Sequence, residues 1–379
     1  MRLFRRQRKH EAPRPADSGA PGQLPWQPRD DDLGLHIVDG IGHSLSLDDE
    51  WSVRDDRGFT WWGRDLAQRV WAEPGFDDDG FEIFRLHART DLLRDFDPAD
   101  QNLAKLNGFA ALATTSGYLV DPEARTVEYA ASMYAHADTA EWVRKTFQLV
   151  VAMQAADAQI KASVLAEVTG ASVAATPHPT SGPRRDYDDM LNVLEAVVAP
   201  LGQRPSAWHG EEMEWITSVM QGGQYVVLAT GDESGLSAEF PFQSRTSLLT
   251  VTTDAGNPQV GNGVLMILHL PMNIGEAEGA RFTANLTRRE LFSVTRTHYL
   301  GCWCWREDGL HYVSFLPNAI RTGRGDLLNL VMGATGRAKW AAETFYGDDW
   351  LANVDEQGRP LARPAIDDFL TDVGDRDDA

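Results

Sequence analysis

The chain has 379 residues, with 35 Lys plus Arg against 56 Asp plus Glu, giving a formal net charge of −21. This charge opposes binding to nucleic-acid phosphates and to anionic membranes, and a composition with 42% hydrophobic residues is that of a globular protein. Apolar runs stay well below the roughly eighteen residues of a membrane-spanning helix, and two cysteines are too few for a disulfide framework, which favours the cytoplasm.

Pro-rich and charged segments divide the chain. Residues 1–30 are basic and rich in Pro and Gly, so we expect a disordered arm that contacts a membrane only weakly. Residues 170–185 contain three prolines and small polar residues, which is typical of a linker. Residues 356–379 are predicted to form an acidic disordered tail. Two folded units remain, at 31–169 and 186–355.

The first unit opens with short strand patterns separated by acidic turns, which predicts an antiparallel meander over 50–90. Asp97 and Pro98 are suited to the start of a helix that runs to about residue 113. The stretch Gly117–Ala135 then reads as strand, charged turn and strand. A long amphipathic closing helix begins near Asp138 and runs through Trp142, Phe147, Val150, Val151, Ile160, Val164 and Val168.

The second unit repeats the same order of elements. Gly301–Ala319 again reads as strand, charged turn and strand, and Gly301 lies 184 positions after Gly117. Asn285 lies 183 positions after Asn102 in the preceding helix. The sequence therefore predicts an α+β protein of two tandem related units, each an antiparallel sheet with helices on one face, and a pseudo-two-fold interface between them.

The first unit resembles the YbjN-domain family in its helix "NLAKLNGFA", which carries Asn102-Leu103 and Leu106-Asn107, followed by the strand led by Gly117. That family shares the α+β fold of type III secretion chaperones. The resemblance implies a tandem chaperone-like protein that binds other proteins, and it implies no catalytic site. We accordingly expect a polypeptide partner and a monomer or homodimer, with no nucleic acid bound.

Two cysteines and three histidines are the candidate metal ligands of the chain. Cys302 and Cys304 point to one face of a strand, and His269, His298 and His311 lie on the same or neighbouring strands, which would suit a zinc site. The alternative is that both thiols are small, buried, reduced side chains. We predict that alternative, with no metal and no cofactor. The chain contains no GxSxG, HExxH, GxGxxG or GxxxxGK[ST] pattern, which favours a non-enzymatic protein.

Tryptophan is the residue type in excess, with 12 copies. Trp61 and Trp62 are adjacent on one predicted strand, so they face opposite sides of the sheet. Together with Trp303 and Trp305 they are the candidates for an exposed protein-binding surface, because tryptophan is enriched in such surfaces. The expected function is a chaperone, adaptor or regulator of the bacterial cytoplasm. The alternative is a small-molecule-binding protein or enzyme with its site between the two units.

Overall fold

The computed structural model describes residues 32–78, 80–191, 210–223, 225–242, 245–257, 260–272, 274–293, 297–318 and 326–346. The predicted arm (1–30) and tail (356–379) lie outside these ranges. In the described part, helices and two antiparallel sheets form two units, which confirms the predicted α+β class.

The first unit is built on a sheet of eight strands. Its helices are α1 (Leu33–Leu45), α2 (Asp100–Ala110) and α3 (Ala140–Thr169). Its strands are β1 (Ser52–Arg54), β2 (Gly58–Trp62), β3 (Ala67–Ala72), β4 (Phe76–Asp78), β5 (Phe81–Arg94), β6 (Gly117–Asp121), β7 (Thr126–Ala135) and β8 (Ser172–Val173). They pair in the order β1-β2-β3-β5-β7-β6, and the short β4 and β8 both pair with β5.

The second unit has the same topology. Its described helices are α4 (Gly210–Gln221), α5 (Glu276–Phe292) and α6 (Asp326–Tyr346). Its strands are β9 (Leu228–Asp232), β10 (Gly235–Phe242), β11 (Arg245–Asn257), β12 (Gly261–Leu270), β13 (Cys302–Arg306) and β14 (Gly309–Pro317). Their order, β9-β10-β11-β12-β14-β13, matches the first sheet strand for strand, and α5 sits where α2 sits, before the last hairpin. The predicted equivalence of the units is confirmed.

Equivalent glycines show why the two units share a local sequence signal. Gly58 begins β2 and Gly235 begins β10. A side chain on Gly58 would collide with the carbonyl of Val70 on the next strand, and one on Gly235 would collide with that of Val251. Glycine is therefore required at the end of this acidic turn in both units, because the neighbouring backbone passes too close for a Cβ atom.

The units meet along a pseudo-two-fold junction. Ser132 on β7 and Tyr299, just before β13, exchange backbone hydrogen bonds of 3.0 and 2.8 Å. At the equivalent place in the other unit, the Phe315 N–H on β14 donates to the carbonyl of Thr114, just before β6, at 3.0 Å. A buried cluster crosses the junction and includes Leu103, Leu106, Tyr118, Ala158, Ala280, Cys302, Cys304 and Val313.

The Pro-rich segment 170–185 belongs to the first unit, so its interpretation as a linker is wrong. Ser172–Val173 pairs with β5, and the Thr176 N–H donates to the carbonyl of Asp65 at 2.9 Å. The Arg184 guanidinium is buried and donates to the carbonyl of Trp62 at 2.8 Å. These long-range contacts hold the segment against the sheet. They cannot be recognised from the composition of the segment alone.

Helix α3 is the one described helix long and apolar enough to span a membrane, with a mean hydropathy of 1.2 over an 18-residue window. Of that window, 61% is buried inside the protein, which is consistent with the core helix of a soluble protein. Its C-terminal half buries Ala158, Ala162, Leu165 and Ala166. Ile160, Val164 and Val168 of the same helix are exposed, because the small alanines pack closer to the junction.

Candidate binding sites at and beside the unit junction

A groove of about 540 Å³ lies where α2 of the first unit meets α5 of the second. One wall is the start of α2 and the end of β6, and the other is one face of α5. The lining residues are Pro98, Ala99, Asp100, Leu103, Val120, Pro122, Arg281, Ala284, Asn285 and Arg288. A volume of this size lies within the roughly 300–1,000 Å³ range of small-molecule binding sites.

The charge of the groove opposes that of the whole protein. Arg281 pairs with Asp100 through an Nη2–Oδ1 distance of 2.6 Å, with 37% and 42% of the two side chains exposed. Such a solvated pair is worth about 0–1 kcal/mol. Arg288 is exposed on the groove wall and has no hydrogen-bond or ion-pair partner among the residues that the structure describes. One guanidinium therefore remains available above an apolar floor of Leu103, Val120 and Ala284.

A second, narrower cavity of about 20 Å³ adjoins the groove and ends at Cys302 and Trp303. Burial raises the pKa of the Cys302 thiol to about 12 and that of Cys304 to about 11. Both cysteines are buried and free, as predicted. A raised thiol pKa disfavours the thiolate, which is the nucleophilic form of cysteine.

Trp305 of the second unit occupies the position that is equivalent to the end of β6, which lines the groove in the first unit. If Gly117 and Gly301 are aligned, Trp305 takes the position that Asp121 holds between Val120 and Pro122 of the groove. The Trp305 ring packs against Gly279 of α5 so closely that any side chain there would collide with it. Its backbone is held by the side chain of Asn107 from α2. The two sides of the junction therefore differ, since a large aromatic ring on one side takes the position of Asp121 on the other.

The tryptophans proposed as an exposed binding surface are mostly internal. Trp61 is 0% exposed, Trp303 is 1% exposed and Trp62 is 6% exposed, so the expectation of an open surface at these residues is wrong. Trp62 does face away from the core helices, but segment 170–185 covers it: its Nε1–H donates to the Thr176 hydroxyl at 3.2 Å. Trp305 is half-buried against the junction.

Among the exposed apolar side chains of the described residues, three form a row on one helix. Ile160, Val164 and Val168 form a ridge on α3, with 60%, 43% and 38% of each residue exposed. Their i, i+4, i+8 spacing places them in one row on the helix surface. We call this row the α3 ridge. The sequence analysis placed these residues on the long helix and did not single them out as a surface, because their spacing is equally typical of a buried face.

Among the described residues, Trp215 is an exposed tryptophan that the sequence analysis did not single out. In α4, Met213, Ile216 and Met220 are buried, and Trp215 with Val219 falls on the opposite face, with 50% and 37% exposed. The signal was present in the sequence: two apolar residues four apart lie outside a complete buried stripe.

The histidines considered as zinc ligands fall into two places. His298 lies at the junction, where its Nδ1 accepts from the Tyr134 N–H at 3.1 Å and its ring contacts Trp142 at 5.4 Å between centroids. His269 and His311 are cross-strand partners on β12 and β14. They converge on the carboxylate of Asp308 and not on the two thiols.

No protein-family model, curated protein or solved structure matches this chain. The similarity to YbjN-domain proteins therefore stays a prediction that rests on residue pattern and element order.

Proposed function

We propose that this protein is a polypeptide-binding module, a chaperone, adaptor or regulator, of a bacterial cytoplasm. The proposal rests on one observation, the α3 ridge. Three β-branched side chains stand in one row on a helix surface, while the same helix buries its alanines. Exposed apolar rows of this kind mark sites of protein association, because solvent exposure of adjacent large side chains is unfavourable in the free protein.

The two-unit fold supports this proposal. The buried cluster at the junction holds the C-terminal half of α3 through Ala158 and Ala162, so the ridge is presented on a fixed support. Because this helix face is already rigid, docking of an amphipathic or extended partner segment does not require the face itself to be ordered, which lowers the entropy cost of binding. The net charge of −21 favours partners with a basic flank beside their apolar positions.

The test is an array of overlapping peptides probed with the full chain and with two variants. Val164→Asp places a charge in the ridge, and Ser163→Asp places the same charge on the adjacent exposed position of the same helix. We expect the wild type and Ser163→Asp to bind the same peptides, with apolar residues flanked by Lys or Arg, and Val164→Asp to lose them. Equal binding by all three proteins, with circular dichroism unchanged, would refute the ridge as the site.

A second candidate function is the binding of a small carboxylate ligand in the groove between α2 and α5. The observation that favours it is the unpaired guanidinium of Arg288 above an apolar floor, in a volume of about 540 Å³. Arginine pairs with carboxylates through two parallel hydrogen bonds, which gives both affinity and orientation.

A thermal-shift panel of aliphatic and aromatic carboxylates separates this candidate from the first. Under the second candidate, one class of carboxylate raises the Tm of the wild type and of Arg289→Gln, since Arg289 does not line the groove. The shift is absent in Arg288→Gln. A panel that leaves the Tm of the wild type unchanged removes the small-ligand candidate and leaves the peptide experiment unaffected.

A further inference from the structure

Three potential metal ligands converge at one end of the second sheet. His269 lies on β12, His311 on β14 and Asp308 in the turn between β13 and β14. One ligand atom from each lies within 4.8 Å of the other two. We call this group the His–Asp–His cluster. It is separate from the groove, and neither cavity wall includes it.

The spacing within the cluster matches that of ligands around one ion. The His311 Nε2 lies 2.9 Å from Asp308 Oδ1, and the His269 Nε2 lies 3.8 Å from Asp308 Oδ2. Ligands at about 2.0–2.1 Å from a zinc-type ion stand about 3.3–3.4 Å apart in tetrahedral geometry and about 2.8–3.0 Å apart as neighbours in octahedral geometry. The His311–Asp308 distance is therefore already that of neighbouring ligands, whereas the His269 Nε2, which also lies 2.9 Å from the Asp308 carbonyl oxygen, must exchange that hydrogen bond for the ion.

The β-sheet fixes this geometry. His269 and His311 are paired directly across β12 and β14, so both side chains project from the same face, and their rings lie 4.8 Å apart between centroids. Asp308 precedes His311 by only three residues in the chain, and the intervening Gly309, with φ of +143°, permits the sharp turn. Ligands carried on paired strands and a tight turn are positioned before an ion arrives.

The surroundings leave the cluster open to solvent. The side chain of Asp308 is 65% exposed and that of His269 is 24% exposed, whereas His311 is buried. Glu307 adds a second carboxylate beside Asp308, and Arg306 adds one opposing charge. The strongly acidic field of the whole chain raises the local concentration of divalent cations.

We propose that His269, Asp308 and His311 bind a divalent transition-metal ion of the zinc class, with at least one coordination position left open. Two imidazoles and one carboxylate form a ligand set that zinc, cobalt and nickel accept and that magnesium and calcium disfavour. The bound ion joins β12, β14 and the turn between β13 and β14, and so it stabilises the end of the second sheet.

The experiment is a titration of EDTA-treated full-length protein with ZnCl₂ in an excess of Mg²⁺, which saturates nonspecific acidic sites. We expect uptake of one Zn²⁺ per chain, a higher Tm after uptake, and a visible absorption spectrum when Co²⁺ is used instead. His269→Gln and Asp308→Asn each remove a ligand. Each should weaken Zn²⁺ affinity by at least ~100-fold, because changes to residues that only support a metal ligand already cost about 10–100-fold. His36→Gln, an exposed histidine on α1, is the matched control and should bind like the wild type.

Two outcomes would overturn the proposal. One is an absence of saturable Zn²⁺ uptake by the wild type in the presence of Mg²⁺. The other is uptake that survives both His269→Gln and Asp308→Asn unchanged. Both substituted side chains have solvent-exposed surface, so the variants are expected to fold, and circular dichroism before the titration verifies this.

Discussion

Asn107 and Trp305, one from each unit, are joined as if they were neighbours in a β-sheet. The Asn107 side-chain amide donates to the Trp305 carbonyl at 2.9 Å, and its Oδ1 accepts from the Trp305 N–H at 2.6 Å. A side chain of α2 thus satisfies the backbone of the edge strand β13 in place of another strand. This contact both ends the second sheet and attaches the two units to each other.

Asn107→Ala should destabilise the protein by about 1–3 kcal/mol, because it leaves a donor and an acceptor of Trp305 without partners at a half-buried edge. Gln101→Ala, at an exposed position of the same helix, should change the free energy of unfolding by less than about 0.5 kcal/mol. Urea unfolding of both variants measures the difference. If the two variants are equally stable, the Asn107 contact does not hold the edge.

Gly117→Ala should be destabilising by about 1–3 kcal/mol, since overpacked side chains force their neighbours to move. A Cβ atom there would collide with the Tyr299 hydroxyl and would lie 2.7 Å from the Gly301 carbonyl, across the junction. Gly108→Ala on α2 meets nothing within 4 Å and should stabilise the helix by about 0.5–1 kcal/mol. Chemical denaturation tests both signs, and a stabilising Gly117→Ala would contradict the close approach.

The buried pair of Arg337 and Glu290 should contribute far more than the exposed pair of Arg281 and Asp100. The Arg337 Nη2–Glu290 Oε1 distance is 2.7 Å with 3% and 0% of the side chains exposed, and Glu290 also accepts from the Trp303 Nε1–H at 2.7 Å. Arg337→Met leaves a buried carboxylate without its cation and should cost about 3–5 kcal/mol. Arg281→Met should cost less than about 1 kcal/mol. Similar Tm values for the two variants would contradict this ranking.

Acid should weaken the junction through His298. Burial, followed by the positive charge of Arg337, lowers the pKa of His298 from its ordinary value of 6.5 to about 4. Between these two values the unfolded chain binds more protons than the folded one, so the free energy of unfolding is highest above about pH 6.5 and falls as the pH drops towards about 4. Protonation also removes the acceptor for the Tyr134 N–H.

Comparison with His298→Gln isolates this effect from other titrating groups. From about pH 7 to about pH 5 the wild type should lose about 1–2 kcal/mol more stability than the variant. Urea midpoints at the two pH values give the measurement. Parallel losses in both proteins would show that His298 titrates normally and that acid acts elsewhere.

Sequence patterns predicted the architecture because glycines and strand alternation are local signals. Gly58 and Gly235 mark the same close approach of strands, and Gly117 and Gly301 mark the same place at the junction. Burial was harder to predict where it depends on distant segments. Trp62 was expected to be open, and it is covered by Thr176 and its neighbours, which are far away in the chain.

The candidate sites depended on register, which a sequence does not display. His269 and His311 meet because β12 and β14 pair in one particular alignment, and a shift of one residue would place them on opposite faces. The α3 ridge is exposed because alanines occupy the junction side of the helix, and spacing alone cannot tell which of two apolar rows is buried.

The filling of one side of the junction by Trp305 has a consequence for binding stoichiometry. A homodimer of one unit would have to present each surface twice, in two identical copies. Fusion into a single chain releases the halves from that constraint, so that α2 carries Asn107 where α5 carries Glu290, and Trp305 stands where the groove side has Asp121. If the groove binds the carboxylate ligand proposed above, the two halves of one chain need not bind it equally, and the expected stoichiometry is one ligand per polypeptide.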